Sequence, residues 1–203
     1  MKIRKTRAFG VAASATMALM LFLATGGGDE DAAAGKSADA TPQSFKIGKT
    51  EPGKAERGLA AFLICDGGIY KAGEPIAATF GVICVQAPSE GQPPPKPLNV
   101  LRPYPPADPN NRSWFSVIGG DAKEVPYQGE YIHWANARLQ DVCALTQGSF
   151  VGQTFSELAP RHFDLRAPGK YRLRWHYAPG VFEGCWTGQL VSNEVEIEIS
   201  PSK

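Results

Sequence analysis

The sequence has little of what catalytic and metal-binding sites are made from. Its 203 residues hold three histidines, four cysteines and three methionines. The spacing signatures H-E-x-x-H, G-x-S-x-G and G-x-x-x-x-G-K-[ST] are all absent, so zinc-peptidase, hydrolase-elbow and P-loop chemistry have no motif to rest on. Excess charge is lacking too. The 21 Lys and Arg face 20 Asp and Glu, and four of the cations (Lys2, Arg4, Lys5 and Arg7) lie in the first 26 residues. Beyond residue 26 that leaves 17 cations against 20 acids, which argues against a phosphate-binding surface and against nucleic acid as a partner. No stretch keeps a helical period and no β-α-β rhythm appears, which excludes coiled coils and doubly wound sheets. What is abundant is glycine (22) and proline (17), the composition of a turn-rich all-β chain.

The N-terminus reads as an address. Basic residues 2–7 precede an apolar or small run over residues 8–24, and Ala24 and Gly26 sit at the −3 and −1 positions of a cleavage site. This is the three-part pattern of a secretory signal over residues 1–26 and predicts an exported protein, periplasmic, cell-surface or secreted. An uncleaved anchor is the other reading, because the run meets the lower limit of about 17 residues for a spanning helix, and only then would the membrane be a partner. A lipoprotein signal would end in cysteine, and the first cysteine is Cys65. Residues 27–55 are rich in Gly, Ala, Ser and charge with few branched aliphatics, and predict a flexible linker.

Residues 56–203 predict the folded domain, with all four cysteines in it: Cys65, Cys84, Cys143 and Cys185. An even count in an exported chain predicts two disulfides, whereas spacings of 19, 59 and 42 residues lack the close pairs of a zinc site. Short apolar runs at Leu59–Cys65, Ile76–Val85, Leu98–Leu101, Trp114–Ile118, Glu130–Trp134, Phe150–Leu158, Tyr171–Tyr177 and Val195–Ile199 are separated by Gly/Pro turns. The last two alternate apolar with charged residues, the mark of antiparallel strands with one face on a core and one in water. The pattern predicts an all-β fold, an immunoglobulin-like antiparallel β-sandwich of about seven strands. Tyr171, at the mouth of the penultimate strand, suits the tyrosine that braces a corner of such sandwiches. A simple hairpin of the first two strands would hold Cys65 and Cys84 far beyond disulfide reach. Cys185 is then expected to pair with Cys84 or Cys143, with Cys65 left without an evident partner.

Several segments together carry a likeness. Tyr70-Lys71-Ala72-Gly73-Glu74-Pro75-Ile76 looks like the strand entry Y-x-x-G-E-P-I of bacterial immunoglobulin-like domains. Trp114-Phe115-Ser116-Val117, then Lys123-Glu124-Val125-Pro126-Tyr127-Gln128-Gly129, Leu145-Thr146-Gln147-Gly148-Ser149, and Phe163-Asp164-Leu165 to Gly169-Lys170-Tyr171 follow in order. Over residues 60–177 this order resembles the β-sandwich region that precedes the catalytic domain in deuterolysin-type zinc metalloendopeptidases. The ending from Trp186-Thr187-Gly188 to Ser192-Asn193 looks more like stand-alone exported sandwich domains. The asparagine usual after the second strand has no equivalent near Cys84–Ala87, and the peptidase motif is missing. The resemblance therefore implies an accessory module and transfers no catalytic residue.

No catalytic residue, metal ligand or cofactor is read from the sequence. His176 alternates with Arg172 and Arg174 and is expected on the solvated face, while His133 and His162 have no partner in sequence. Glu194, Glu196 and Glu198 are expected to pair across strands with Arg172, Arg174 and His176. Trp175 and Tyr177 suit the core face. Asn111-Arg112-Ser113 is a glycosylation sequon. The candidate partner-contact residues are Trp114, Tyr131, Trp134 and Trp186, aromatics in or beside end loops, where recognition commonly resides. The expectation is a non-catalytic exported module that binds an envelope or extracellular protein or glycan, or gives structural support there. The alternative is an inhibitor or pro-domain-like partner of a metallopeptidase.

Overall fold

A computed structural model describes residues 47, 49–87, 93–104, 112–129 and 137–202. The expected export signal, the expected linker as far as residue 46, Asn111, Tyr131, His133, Trp134 and the strand expected at Glu130–Trp134 lie outside them. Ten strands are described: β1 (Leu59–Cys65), β2 (Ile69–Lys71), β3 (Ile76–Cys84), β4 (Leu98–Leu101), β5 (Arg112–Gly119), β6 (Val142–Leu145), β7 (Phe150–Ala159), β8 (Gly169–Ala178), β9 (Leu190–Val191) and β10 (Val195–Ser200). Among the described residues the fold is all-β, as the alternating runs predict. The strands that alternation does not announce, β2, β6 and β9, are two to four residues long.

One sheet runs β1-β3-β7; the other runs β2-β10-β8-β5, with β9 beside β8, and β4-β6 form a separate ribbon. All pairings are antiparallel except β2 with β10. Period-two alternation turns Leu173, Trp175 and Tyr177 of β8 inward, where they meet Phe80, Val82, Leu59 and Leu63 of the facing sheet in one apolar cluster. The Phe80 ring centres this cluster, 4.9 Å from Trp175 and edge-on to Phe115 at 5.3 Å. Such ring pairs add about 0.5–1.5 kcal/mol beyond the area they bury.

β1 is an apolar run because it is covered on both faces. Leu59, Ala61 and Leu63 face the core, while Ala60 and Phe62 join Ile83 in a second cluster on the outer side of the sheet, with Ile47 packed against it. Gly81 makes room for this arrangement, since a Cβ there would lie 2.8 Å from the Phe62 ring and 2.3 Å from the Val151 carbonyl.

The free edge of β1 is occupied along its length. Leu59 exchanges backbone hydrogen bonds with Glu56, and the Gly53 N–H donates to the Ala61 carbonyl at 2.8 Å. The Asn193 side-chain amide bonds both the N–H and the carbonyl of Leu63. Asn193 lies in the break between β9 and β10, so this side chain ties the two sheets together. Gly53 fits between them only because it has no side chain; a Cβ would sit 2.1 Å from the Val191 carbonyl. Gly53, inside the stretch expected to be linker, is thus packed on the sandwich. Composition misses this because the docking is made by backbone groups.

At the other end of the fold, the Tyr171 hydroxyl donates to the Ala167 carbonyl at 2.7 Å, the corner brace expected of it. All four cysteines are free, so the two disulfides expected from their count are not formed here. In the β1–β3 register Cys65 lies opposite Ala78 and Cys84 opposite Leu59. At about 3.3 Å per residue that separates them by some 20 Å along the strands, far beyond disulfide reach.

Candidate functional site

The outer face of the β5–β8 pair carries the described aromatic–polar patch of most chemical interest. The register sets Trp114 opposite His176, Ser116 opposite Arg174 and Ile118 opposite Arg172. Alternation explains why these residues face outward: Phe115 and Val117, between them, are buried in the core. The Trp114 and His176 rings stack with centroids 4.7 Å apart and planes 3° from parallel. Ser116 Oγ lies 2.9 Å from His176 Nε2. Next along the face, Arg174 pairs with Glu194 at 3.0 Å, one of the cross-strand pairs expected, while Glu196 takes Lys170 at 2.8 Å rather than Arg172.

His176 is less exposed than an outer-face position suggests, because Trp114 covers its ring. Its Nδ1 is shielded from solvent without a hydrogen-bond partner. Burial first, and the Arg174 charge second, hold its pKa below the ordinary histidine value. The imidazole is therefore neutral at pH 7, next to a serine hydroxyl. An activated serine needs that ring oriented from the far nitrogen as well as donors for an oxyanion. Among the described residues nothing bonds Nδ1. What the geometry supplies is a flat, fixed aromatic platform with a hydroxyl and ion pairs beside it.

Trp186 is not such a surface. Its side chain is 8% exposed and stacks on Tyr177 at 6.2 Å, and its backbone N–H donates to Asn99 at 2.7 Å. The ring fills the core edge by β4, which corrects its place among the partner-contact candidates. Tyr131 and Trp134 lie outside the described residues. The structure thus brings Trp114 together with His176 but does not join it to Trp186.

His162, without a partner in sequence, has one in space. The Tyr127 hydroxyl is 3.0 Å from its Nδ1, the two rings stack at 5.5 Å, and Phe155 packs against it at 4.6 Å. Burial, then the Arg161 charge, lowers its pKa. Among the cysteines, burial above all and then Asp66 push the Cys65 thiol up to about 12, which makes its thiolate scarce at neutral pH. Burial raises the Cys185 pKa as well.

Sequence reasoning missed a cleft between β7 and the β4–β6 ribbon. Its volume is about 630 Å³, and Arg102, Tyr104, Gln140, Asp141, Val151, Gly152 and Gln153 line it. The Tyr104 hydroxyl and the Arg138 N–H both donate to the Asp141 carboxylate, and the Arg102 N–H donates to the Asp141 carbonyl. Gln153 donates its side-chain amide to the Pro103 carbonyl. These polar residues come from segments some 50 positions apart, so no local motif announces them.

Comparison with known proteins adds no name to this geometry. The chain matches no family model and no curated protein. Its function rests on its own residues.

Proposed function

We propose that the chain is an exported, non-catalytic β-sandwich of the immunoglobulin-like kind, carried on an N-terminal linker, that binds an envelope or extracellular protein or glycan through its β5–β8 face. The Trp114–His176 stack carries this reading, because a fixed ring beside a hydroxyl and paired charges is the composition of a recognition surface for polar partners. The immunoglobulin-like part is supported by the Tyr171 brace, by the β10-β8-β5 sheet facing β1-β3-β7, and by the parallel β2–β10 pairing at the edge. Export is supported by the basic residues 2–7 followed by the apolar run over 8–24. Disulfides have no part in the reading, since the four thiols are free.

The test is capture from native secreted and envelope fractions and on immobilised glycans, with wild-type protein and Trp114→Ala side by side. A partner retained by the wild type and reduced at least tenfold by Trp114→Ala, at unchanged thermal midpoint, supports the reading. Equal retention by both proteins removes the β5–β8 face from it. A peptidase among the captured partners turns the reading toward inhibition, which an activity assay then decides.

A further inference from the structure

The sandwich blocks its strand edges unevenly. β1 is occupied at Leu59, Ala61 and Leu63 by Glu56, Gly53 and Asn193. β5 is bonded at Val117 by Val125 and at Gly119 by Lys123, and β2 is only three residues long. β7, with ten residues, is paired only with β3 among the described strands.

The phase of the ladder says which groups that edge offers. The Cys84 N–H donates to the Ser149 carbonyl at 2.9 Å, and the register continues through Val82–Val151 and Phe80–Gln153. Antiparallel hydrogen-bonded pairs alternate, so Val151 and Gln153 turn their backbone groups to β3, while Phe150, Gly152 and Thr154 turn theirs outward. No described group bonds those outward amides and carbonyls. Gly152 and its neighbours Val151 and Gln153 form one wall of the 630 Å³ cleft, and Arg102 lies in the other. The Arg102 guanidinium makes no ion pair with a described residue, and the nearby Asp141 carboxylate is already engaged by Tyr104 and Arg138.

We infer that the outward edge of β7 takes up an extended peptide segment as an added strand, with a carboxylate of that peptide seated on Arg102. Main-chain hydrogen bonds to Gly152 and Thr154 supply affinity, and the guanidinium supplies the preference for an acidic residue. A site of this kind is separate from the β5–β8 face and does not depend on it.

The test uses the full chain and a fluorescein-labelled Val-Thr-Val-Glu-Val-Thr peptide, read by anisotropy. Controls are the same peptide with lysine for glutamate and one N-methylated at alternate amides. The expected result is saturable binding that weakens at least fivefold with the lysine peptide or in Arg102→Gln, and disappears with the N-methylated peptide or in Thr154→Pro. Hydrogen exchange provides a readout independent of the variants: peptide addition slows exchange at the Gly152 and Thr154 amides and leaves Val151 and Gln153 unchanged. Trp114→Ala keeps the same peptide affinity, so failure of the β5–β8 reading and failure of this one are distinguishable. Absence of binding at millimolar peptide, equal binding of the N-methylated peptide, or protection that bypasses Gly152 and Thr154 would each overturn the inference.

Discussion

Asn193 stands in for a missing strand at Leu63: its side-chain oxygen accepts the Leu63 N–H and its side-chain nitrogen donates to the Leu63 carbonyl, each at 2.9 Å. A single amide thereby completes the ladder on the β1 edge from a residue of the opposite sheet. The break that frees it is set by Ser192, whose N–H and hydroxyl bond the carbonyl and N–H of Trp175.

Removing that amide should weaken the joint between the sheets. Asn193→Ala leaves two backbone groups at a partly buried edge without partners, and a loss of about 1–3 kcal/mol is expected. Urea unfolding followed by tryptophan fluorescence measures it. Asn193→Asp retains the acceptor and loses the donor toward Leu63, and should not restore wild-type stability. A midpoint within error of wild type for Asn193→Ala would show that water replaces the amide without cost.

Stability should fall on mild acidification before most carboxylates titrate. His176 and His162 both have pKa values lowered by burial, so the unfolded chain binds more protons than the folded chain around and below pH 6.5. Their contribution is therefore full above about 6.5 and is lost as pH falls from there through the lowered folded values. Urea midpoints at pH 7.5, 6.5 and 5.5 should decline in order. The decline should be shallower in His176→Gln, which keeps a polar side chain near Ser116. An unchanged slope in that variant would assign the acid sensitivity elsewhere.

The cysteines offer a direct count. Denatured, non-reduced protein should titrate four thiols, and the native protein should label last at the buried Cys84 and at Cys65, whose thiol is pushed up to about 12. Fewer than four thiols before any reductant is added would mean that a disulfide forms after all, and Cys65–Cys84 is the pair that geometry excludes.

Much of the fold is legible in the sequence where alternation is strong. The Tyr171–Tyr177 and Val195–Ile199 runs carry one face of charge and one of apolar groups, and both the strands and their inward residues follow from that. The corner role of Tyr171 is legible too, from its place at the mouth of a strand. Gly53 and Asn193 are not, because one acts through a backbone bond to the edge of β1 at Ala61 and the other through an amide bond to Leu63, 130 positions away, and neither leaves a hydrophobic period. Trp114 reads in the sequence as an aromatic in or beside an end loop; its place on the outer face of β5 and its stack on His176 depend on the β5–β8 register, which no local pattern gives. Trp186 looked like a loop aromatic because its neighbours are turn residues, yet it is drawn inward by Tyr177 and by the Asn99 carbonyl.

The way residues 47–56 lie along β1 also determines how the domain carries load. Tension entering from the N-terminal side meets the Ile47 contact and the Gly53–Ala61 bond before it reaches any strand of the sandwich. Among the described residues those contacts, with the Glu56–Leu59 bonds, stand one after another along the segment, whereas the seven-residue β1–β3 ladder behind them would share force among its rungs. Under a pulling force the entry segment is thus expected to act as a mechanical fuse, peeling from β1 while Asn193 still holds Leu63.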